Sequence, residues 1–459
     1  MERQRKQILS ENLRVLLFKF SAPTITGMTI VALYNFVDTL FVGNIVGPDA
    51  IAGLTIVLPV NIFIIAIGLL TGVGSASIVS RSLGRGHNER AIVAGGDSIV
   101  LNTILNIITV IPIYIFSEDI LRFLGASSEV LPYARDYMNI MLFGFVFLSF
   151  SINGSNLIRA EGKPRASMYE MVIGSILNII LDYLFIVILG WGVKGAAIGT
   201  VLSHIASAIY IFIFFMSKSS IFHLRPGMFK ISKSISREIL SLGIPSFLME
   251  IMGSIVFLFF IRFVGKYGGD VYITITGIGI RIIDLIFMPL LGISQGFSPL
   301  VGFNYGAKLY LRVKRVLKEA FILTSVITLS GFLLMVIFPE LLLGIFTSDM
   351  EVIEKGVMPL RLIAMLAPVW SFPVLGSAFF QAIGKARPSL IITLSRDLFF
   401  FIPSIFILPL FFKLWGVWAS WPLTDFCCFL MTAIFLIREI RIINRKIEMG
   451  EGKIIYDNS

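Results

Sequence analysis

The chain reads as long apolar runs separated by short polar connections. It lacks the strict every-second-residue alternation of half-buried strands. Twelve runs are long enough to cross about 30 Å of hydrocarbon. They lie near 15–43, 51–79, 92–116, 133–157, 167–188, 193–216, 239–263, 272–300, 318–338, 357–382, 388–411 and 415–437. Each predicts a helix, because a backbone in lipid must satisfy its own hydrogen bonds. The connections are too short to hold a soluble domain. The expected fold is an all-α membrane protein, a compact bundle of twelve transmembrane helices.

Composition agrees: 56% of the 459 residues are hydrophobic and 14% are charged, against about 25% charged in soluble domains. A net charge of +10 would suit nucleic acid, but its distribution points to membrane lipid instead. Lys and Arg gather at the N-terminus (Arg3, Arg5, Lys6, Arg14, Lys19) and in every second loop, such as "RSLGRGHNER", "IRAEGKPR" and "GKARP". The alternate loops, such as "NIVGPDA", are poor in them. This is the positive-inside pattern, and with an even number of spans it places both termini in the cytoplasm of a plasma (inner) membrane protein. Arg14 and Lys19 interrupt the first run, so a cleaved signal peptide is not expected.

Several features recur at one constant offset. Pro23 in "SAPTITG" returns as Pro245 in "GIPSFLM", Gly84 as Gly306, and Gly162-Lys163 as Gly384-Lys385. "GWGVKGAA" matches "LWGVWASW" after a small insertion. The reading is two pseudo-symmetric six-helix bundles: an N-terminal lobe (1–216), a cytoplasmic linker (217–238) and a C-terminal lobe with a basic tail (239–459). Six spans per lobe put the halves in parallel orientation, and transporters with paired halves bind substrate between them near the midplane.

No phosphate-binding loop is present, since "GKARPS" lacks the preceding glycine and strand. Cys427 and Cys428 are adjacent and the three histidines scattered, so no zinc or haem site and no cofactor is expected. Nothing resembles a nucleophile–base pair, so the chain does not read as an enzyme. An ion gradient is the expected drive.

The chemistry lies in the intramembrane acids. Asp38, in "YNFVDTLFVGN", costs roughly 2.5–3.5 kcal/mol at bilayer depth, and such residues are functional by default. Tyr34 and Asp38 are four apart and share a helix face, as do Asn178 and Asp182. Two carboxylates so placed suit a proton or Na⁺, and the residues do not choose between them. The second half does not repeat the pair: Phe260 takes the repeat position of Asp38, and "IPSIFIL" stands opposite Asp182. It keeps Glu250, Arg262, Arg281, Asp284, Arg361, Arg396, Asp397 and Asp425. Arg281 and Asp284 are three apart and share a face, and the group reads as charge pairs or as the lining of a wet cavity. The 41 Phe and 17 Met suit a pliable cavity for flat hydrophobic cations.

The run "PTITGMTIVALYNFVDTLFVGNIVGPDAIAGL", the "RAEGKPR" loop and "LNIILDYLFI" followed by "GVKGAAIGTVLS" resemble the multidrug and toxic compound extrusion (MATE) family, within the MOP-type transporters. The acids in spans 1 and 5 look like its DinF-type branch. The resemblance implies a V-shaped pair of lobes that exports small amphipathic, often cationic, drug-like compounds in exchange for H⁺ or Na⁺ by alternating access. It makes Asp38 and Asp182 the coupling carboxylates, Tyr34, Tyr137, Asn178 and Thr200 their polar shell, and Pro23 the bending point of span 1. Arg281, Arg361 and Arg396 match structural arginines of the family. Asn153 and Asn156 are displaced from the register of the family's span 4 Asn. Glu250 is similar to an acid of the NorM-type branch but sits close to Pro245. A monomer is expected. The alternative, a lipid-linked oligosaccharide flippase of the same superfamily, is opposed by the midmembrane acids and the span count.

Overall fold

The computed structural model describes residues 2–223 and 231–452. Residues 224–230 of the expected linker and 453–459 of the expected tail lie outside them. Helix α1 (Glu2–Ser10) precedes α2 (Leu13–Phe41), α3 (Pro48–Arg85), α4 (Asn88–Ile115) and the short α5 (Ser117–Phe123). Then come α6 (Leu131–Ala160), α7 (Pro164–Asp182), α8 (Gly192–Met216) and α9 (Lys233–Gly268). The later part holds α10 (Asp270–Gly306), α11 (Tyr310–Ile337), α12 (Pro339–Gly344), α13 (Met350–Ala364), α14 (Ser371–Ala382), α15 (Ala386–Leu394) and α16 (Ile402–Glu448). Among the described residues every regular element is helical.

Among the described residues, nine single helices are long and apolar enough to span, and α13 and α14 form a tenth passage bent by 42°. The remaining stretch, Ala386–Glu448, has 63 residues. At 1.5 Å per residue it would reach about 95 Å if straight, far more than a bilayer. It breaks at Lys413, where the backbone takes φ 50° and ψ −129°. Counted as two passages, it brings the total among the described residues to twelve, in agreement with the sequence.

The chain forms two compact units, and their contact boundaries fall inside helices rather than in the linker. The first contains residues 1–7 and 22–250; the second contains 8–21 and 251–459. The opening turns of α2 therefore pack with the second unit, and the opening half of α9 packs with the first. Glycines make both contacts possible. In the first unit, a Cβ at Gly74 of α3 would overlap the carbonyl oxygen of Ile239, and one at Gly243 of α9 would overlap that of Leu70. In the second, a Cβ at Gly296 of α10 would lie 2.8 Å from Phe20 and Ser21. Gly74 and Gly296 are repeat equivalents, and so are Ser21 and Gly243. Small residues let helices approach in lipid, where no hydrophobic force draws them together.

The first unit buries a core around Ile64, Met138, Phe145 and Val201. The second centres on Phe260, whose ring meets Trp418 edge-on at 5.2 Å and Trp421 at 5.4 Å. Gly162 and Gly384 take the same left-handed turn (φ 86° and 84°), closing α6 and α14.

The described ends of the linker are tied into the first unit. Ser220 Oγ donates to Glu161 Oε1 at 2.6 Å, and Lys163 Nζ pairs with Glu161 Oε2 at 2.9 Å. Glu161 lies in the loop between α6 and α7, where burial pushes its carboxyl above the usual range against the pull of Lys163. At the other end, the Ser232 backbone N–H (3.0 Å) and Ser236 Oγ (3.1 Å) donate to Asp97 Oδ2.

Candidate cation site

Asp38 lies near the end of α2, one turn after Tyr34. The helix then widens into a π-helical segment, Val42–Val46. Asp182 is the last α-helical residue of α7 and is followed by a second such segment, Tyr183–Ile188. π-Segments are rare and frequently mark functional sites. Both acids belong to the first unit, and their carboxyl groups lie within hydrogen-bonding reach of each other. Asp182 is fully buried. Gly199 of α8 makes the room: a Cβ there would lie 2.6 Å from Asp182 Oδ1.

The shell expected around the acids assembles. Asn178 Nδ2 donates to Thr200 Oγ1 at 3.3 Å. Tyr34 and Tyr137 lie within electrostatic reach of both acids. Asp38 Oδ1, both oxygens of Asp182 and Asn178 Oδ1 are buried, and no donor among the described residues reaches them. No ion pair involves either acid among the described residues. Buried acceptors of this kind are costly unless something positive or proton-bearing joins them. Oxygens of this kind can hold a proton or ligate a small cation.

Other expected residues go elsewhere. Asn153 does not serve the acids: its Nδ2 donates to Thr71 and Ser98, both at 2.7 Å, tying α6 to α3 and α4. Asn156 caps the Ile152 carbonyl at 2.8 Å. The register shift turns both side chains to another face of α6. Arg281 and Asp284 do not pair; both are exposed, and among the described residues no ion pair joins them. Arg361 Nε donates to the Val336 carbonyl at 3.0 Å. Glu250 is half-buried on α9, at the boundary between the two units. Pro23 lies in α2 just past the corresponding boundary and removes one N–H from its ladder.

In the second unit Arg396 stands between two buried acids, 3.3 Å from Asp397 and 3.5 Å from Asp425. Trp370 Nε1 donates to Asp425 Oδ2 at 2.7 Å. Arg396 also lies over the Trp421 ring at 5.8 Å.

Several buried acids are not singled out by the sequence, among them one on the same helix as Asp182. Glu170 of α7 is 6% exposed and accepts from Ser155 Oγ at 2.9 Å. Arg159 (4% exposed) joins the group through Ser167 Oγ at 2.6 Å. The available signal was its spacing, two and three four-residue steps before Asn178 and Asp182.

The sequence profile of the MatE family matches the chain twice, over residues 23–184 and 245–407. The multidrug export protein MepA of Staphylococcus aureus (strain MSSA476) is 28% identical over 424 residues, covering 92% of this chain and 93% of that protein. MepA of Staphylococcus saprophyticus is 27% identical over 94% of this chain and 96% of its own length. Among solved structures, a MOP superfamily transporter from Pyrococcus furiosus superposes with a TM-score of 0.90 at 27% identity, covering 95% of this chain and 98% of that one. An outward-facing multidrug resistance MATE family transporter also gives 0.90 at 27% identity, over 96% and 98%.

Proposed function

The chain belongs to the MatE family, and from that premise we propose that it exports amphipathic organic cations across the plasma membrane in exchange for H⁺ or Na⁺ by alternating access. It is an integral membrane transporter and not an enzyme. The observation supporting the coupling role is the set of buried acceptor oxygens on Asp38, Asp182 and Asn178 that no donor among the described residues reaches. Two carboxylates this close rarely ionise in the same pH window. One shared proton relieves their repulsion, as does one Na⁺ ligated by these oxygens with the Thr200 hydroxyl. Each cycle then loads one net positive charge. A loaded and an empty pair that favour opposite-facing states suffice for exchange, and Pro23 supplies a point where α2 bends.

The names of the relatives support a multidrug substrate range, and so does the charge of both acidic clusters. Asp38 with Asp182, and Arg396 with Asp397 and Asp425, are each net negative when ionised. Such clusters suit organic cations and oppose the pyrophosphate of a lipid-linked sugar. The protein acts as a monomer in lipid with both termini cytoplasmic. Single cysteines in "GRGHNER", after Cys427 and Cys428 are replaced, should be labelled from the cytoplasmic side alone; labelling from outside reverses the orientation. The deciding experiment is dye efflux in everted vesicles with H⁺ and Na⁺ gradients imposed separately. If neither gradient drives efflux, the exchange reading fails.

A further inference from the structure

A serine pair pins α6 to α7: Ser155 and Ser167 share a hydroxyl bond of 2.6 Å. The second unit pins α14 to α15 in the same way, through their repeat equivalents Ser377 and Ser389 at 2.7 Å. Around that second bridge, Gln381 and Ile392 stand where the first unit has Arg159 and Glu170. The duplicated scaffold thus closes this contact without charge at either of the two positions. A buried ion pair is often no more stabilising than apolar residues of similar volume, so packing alone does not account for the acid.

What Glu170 does have is a route. Glu170, Gly174, Asn178 and Asp182 follow one another at four-residue steps and share one face of α7. Alongside them α8 lays Ser207, Ser203, Thr200 and Gly199. Ser207 Oγ reaches the Glu170 backbone carbonyl at 3.4 Å and fills the notch left by Gly174. Ser203 Oγ donates to the Gly199 carbonyl at 2.8 Å, and Thr200 accepts from Asn178. Tyr34 of α2 lies within electrostatic reach of Asp38, Asp182 and Glu170 together. A row of small and polar residues about 18 Å long, three four-residue steps at 1.5 Å per residue, lies between the two acidic sites.

We propose that Glu170 is the proton station through which the Asp38–Asp182 pair exchanges with the cytoplasm. This rests on the proton form of the exchange and on the orientation proposed above. A proton leaving the pair makes the pair one charge more negative and converts the Glu170 carboxylate to the neutral acid. Glu170 then releases it to water at the cytoplasmic end and returns to a carboxylate facing Arg159 of α6. The other titratable groups facing it are Tyr34 of α2 and Tyr210 of α8, with Tyr169 beside them on α7.

The test copies the second unit into the first. Arg159→Gln with Glu170→Ile should reach the membrane, keep its melting temperature and bind a cationic dye in detergent as tightly as the parent. In proteoliposomes, however, dye efflux and proton counterflow under a pH gradient should slow about tenfold or more, and Glu170→Asp alone should retain most of the rate. Should the double variant fail to fold, Glu170→Gln carries the same expectation. Parental rates in these variants overturn the proposal and assign the pair to scaffolding, and so does a parent driven by Na⁺ alone at equal pH. Asp38→Asn, run in parallel, separates the failures. If it abolishes exchange while the double variant runs normally, the acid pair stands and Glu170 falls; if it too runs normally, the acid pair itself is wrong.

Discussion

In the first unit Asp38 and Asp182 meet with no cationic side chain between them among the described residues. In the second, Arg396 stands between Asp397 and Asp425 at 3.3 and 3.5 Å. One family fold, matched twice along the chain, thus holds a pair of neighbouring acids in each half and treats the two pairs oppositely. A resident guanidinium fixes charge permanently, because arginine does not lose its proton in proteins. An acid pair without one is left to take a mobile cation, and only that arrangement can change its charge during a cycle. The duplication supplied two equivalent frames, and under the proposed exchange only the first carries exchangeable charge.

The comparison breaks most sharply at Asp38. Asp38→Asn should leave a folded protein at normal membrane levels and reduce gradient-driven dye efflux about a hundredfold, because the amide keeps volume and hydrogen bonding but exchanges no proton. Asp182→Asn should be impaired as well, though less, since one carboxylate still titrates alone. Wild-type efflux by Asp38→Asn would remove the distinction between the units.

Gly199→Ala comes next. The added methyl would lie 2.6 Å from Asp182 Oδ1, so the carboxyl must turn away from its partner. Efflux should fall about tenfold, while the better helix propensity of Ala, worth roughly 1 kcal/mol, offsets the local crowding. Tm and efflux measured on the same preparation decide whether positioning or folding was lost.

The opposite result is expected in the second unit. Asp425→Asn removes an ion pair with Arg396 and weakens the bond from Trp370. Its cost should be about 1–3 kcal/mol, visible as a lowered Tm in detergent, with the pH profile of transport unchanged. A shifted pH profile would show that the second unit also exchanges charge.

The smallest expected effect is none. If one net charge enters per cycle, its gain of about 2.3 kcal/mol per 100 mV cancels the cost of expelling a monovalent cation. Collapsing the potential with valinomycin and K⁺, while the coupling gradient is held, should leave dye accumulation intact. Loss of accumulation would mean that Asp38 and Asp182 load together with more than one charge.

The sequence by itself determined the twelve spans, the internal repeat with its constant offset, the membrane class and the two acids with Tyr34 and Asn178 one turn away. These are properties of single helices: hydrophobic length, composition and i, i+4 spacing, which fix what shares a face. Tertiary structure decided which faces meet. It brought Asp38 to Asp182, placed Gly199 against them, turned Asn153 toward Thr71 and Ser98, left Arg281 apart from Asp284, and set Glu170 on the same row of small and polar residues. Its compact units divide inside α2 and α9, where Gly74, Gly243 and Gly296 let backbones approach more closely than any larger side chain allows. Each residue turns a helix by about 100°, so which side chain faces a partner depends on how those small-residue contacts seat whole helices, and local spacing carries no record of that.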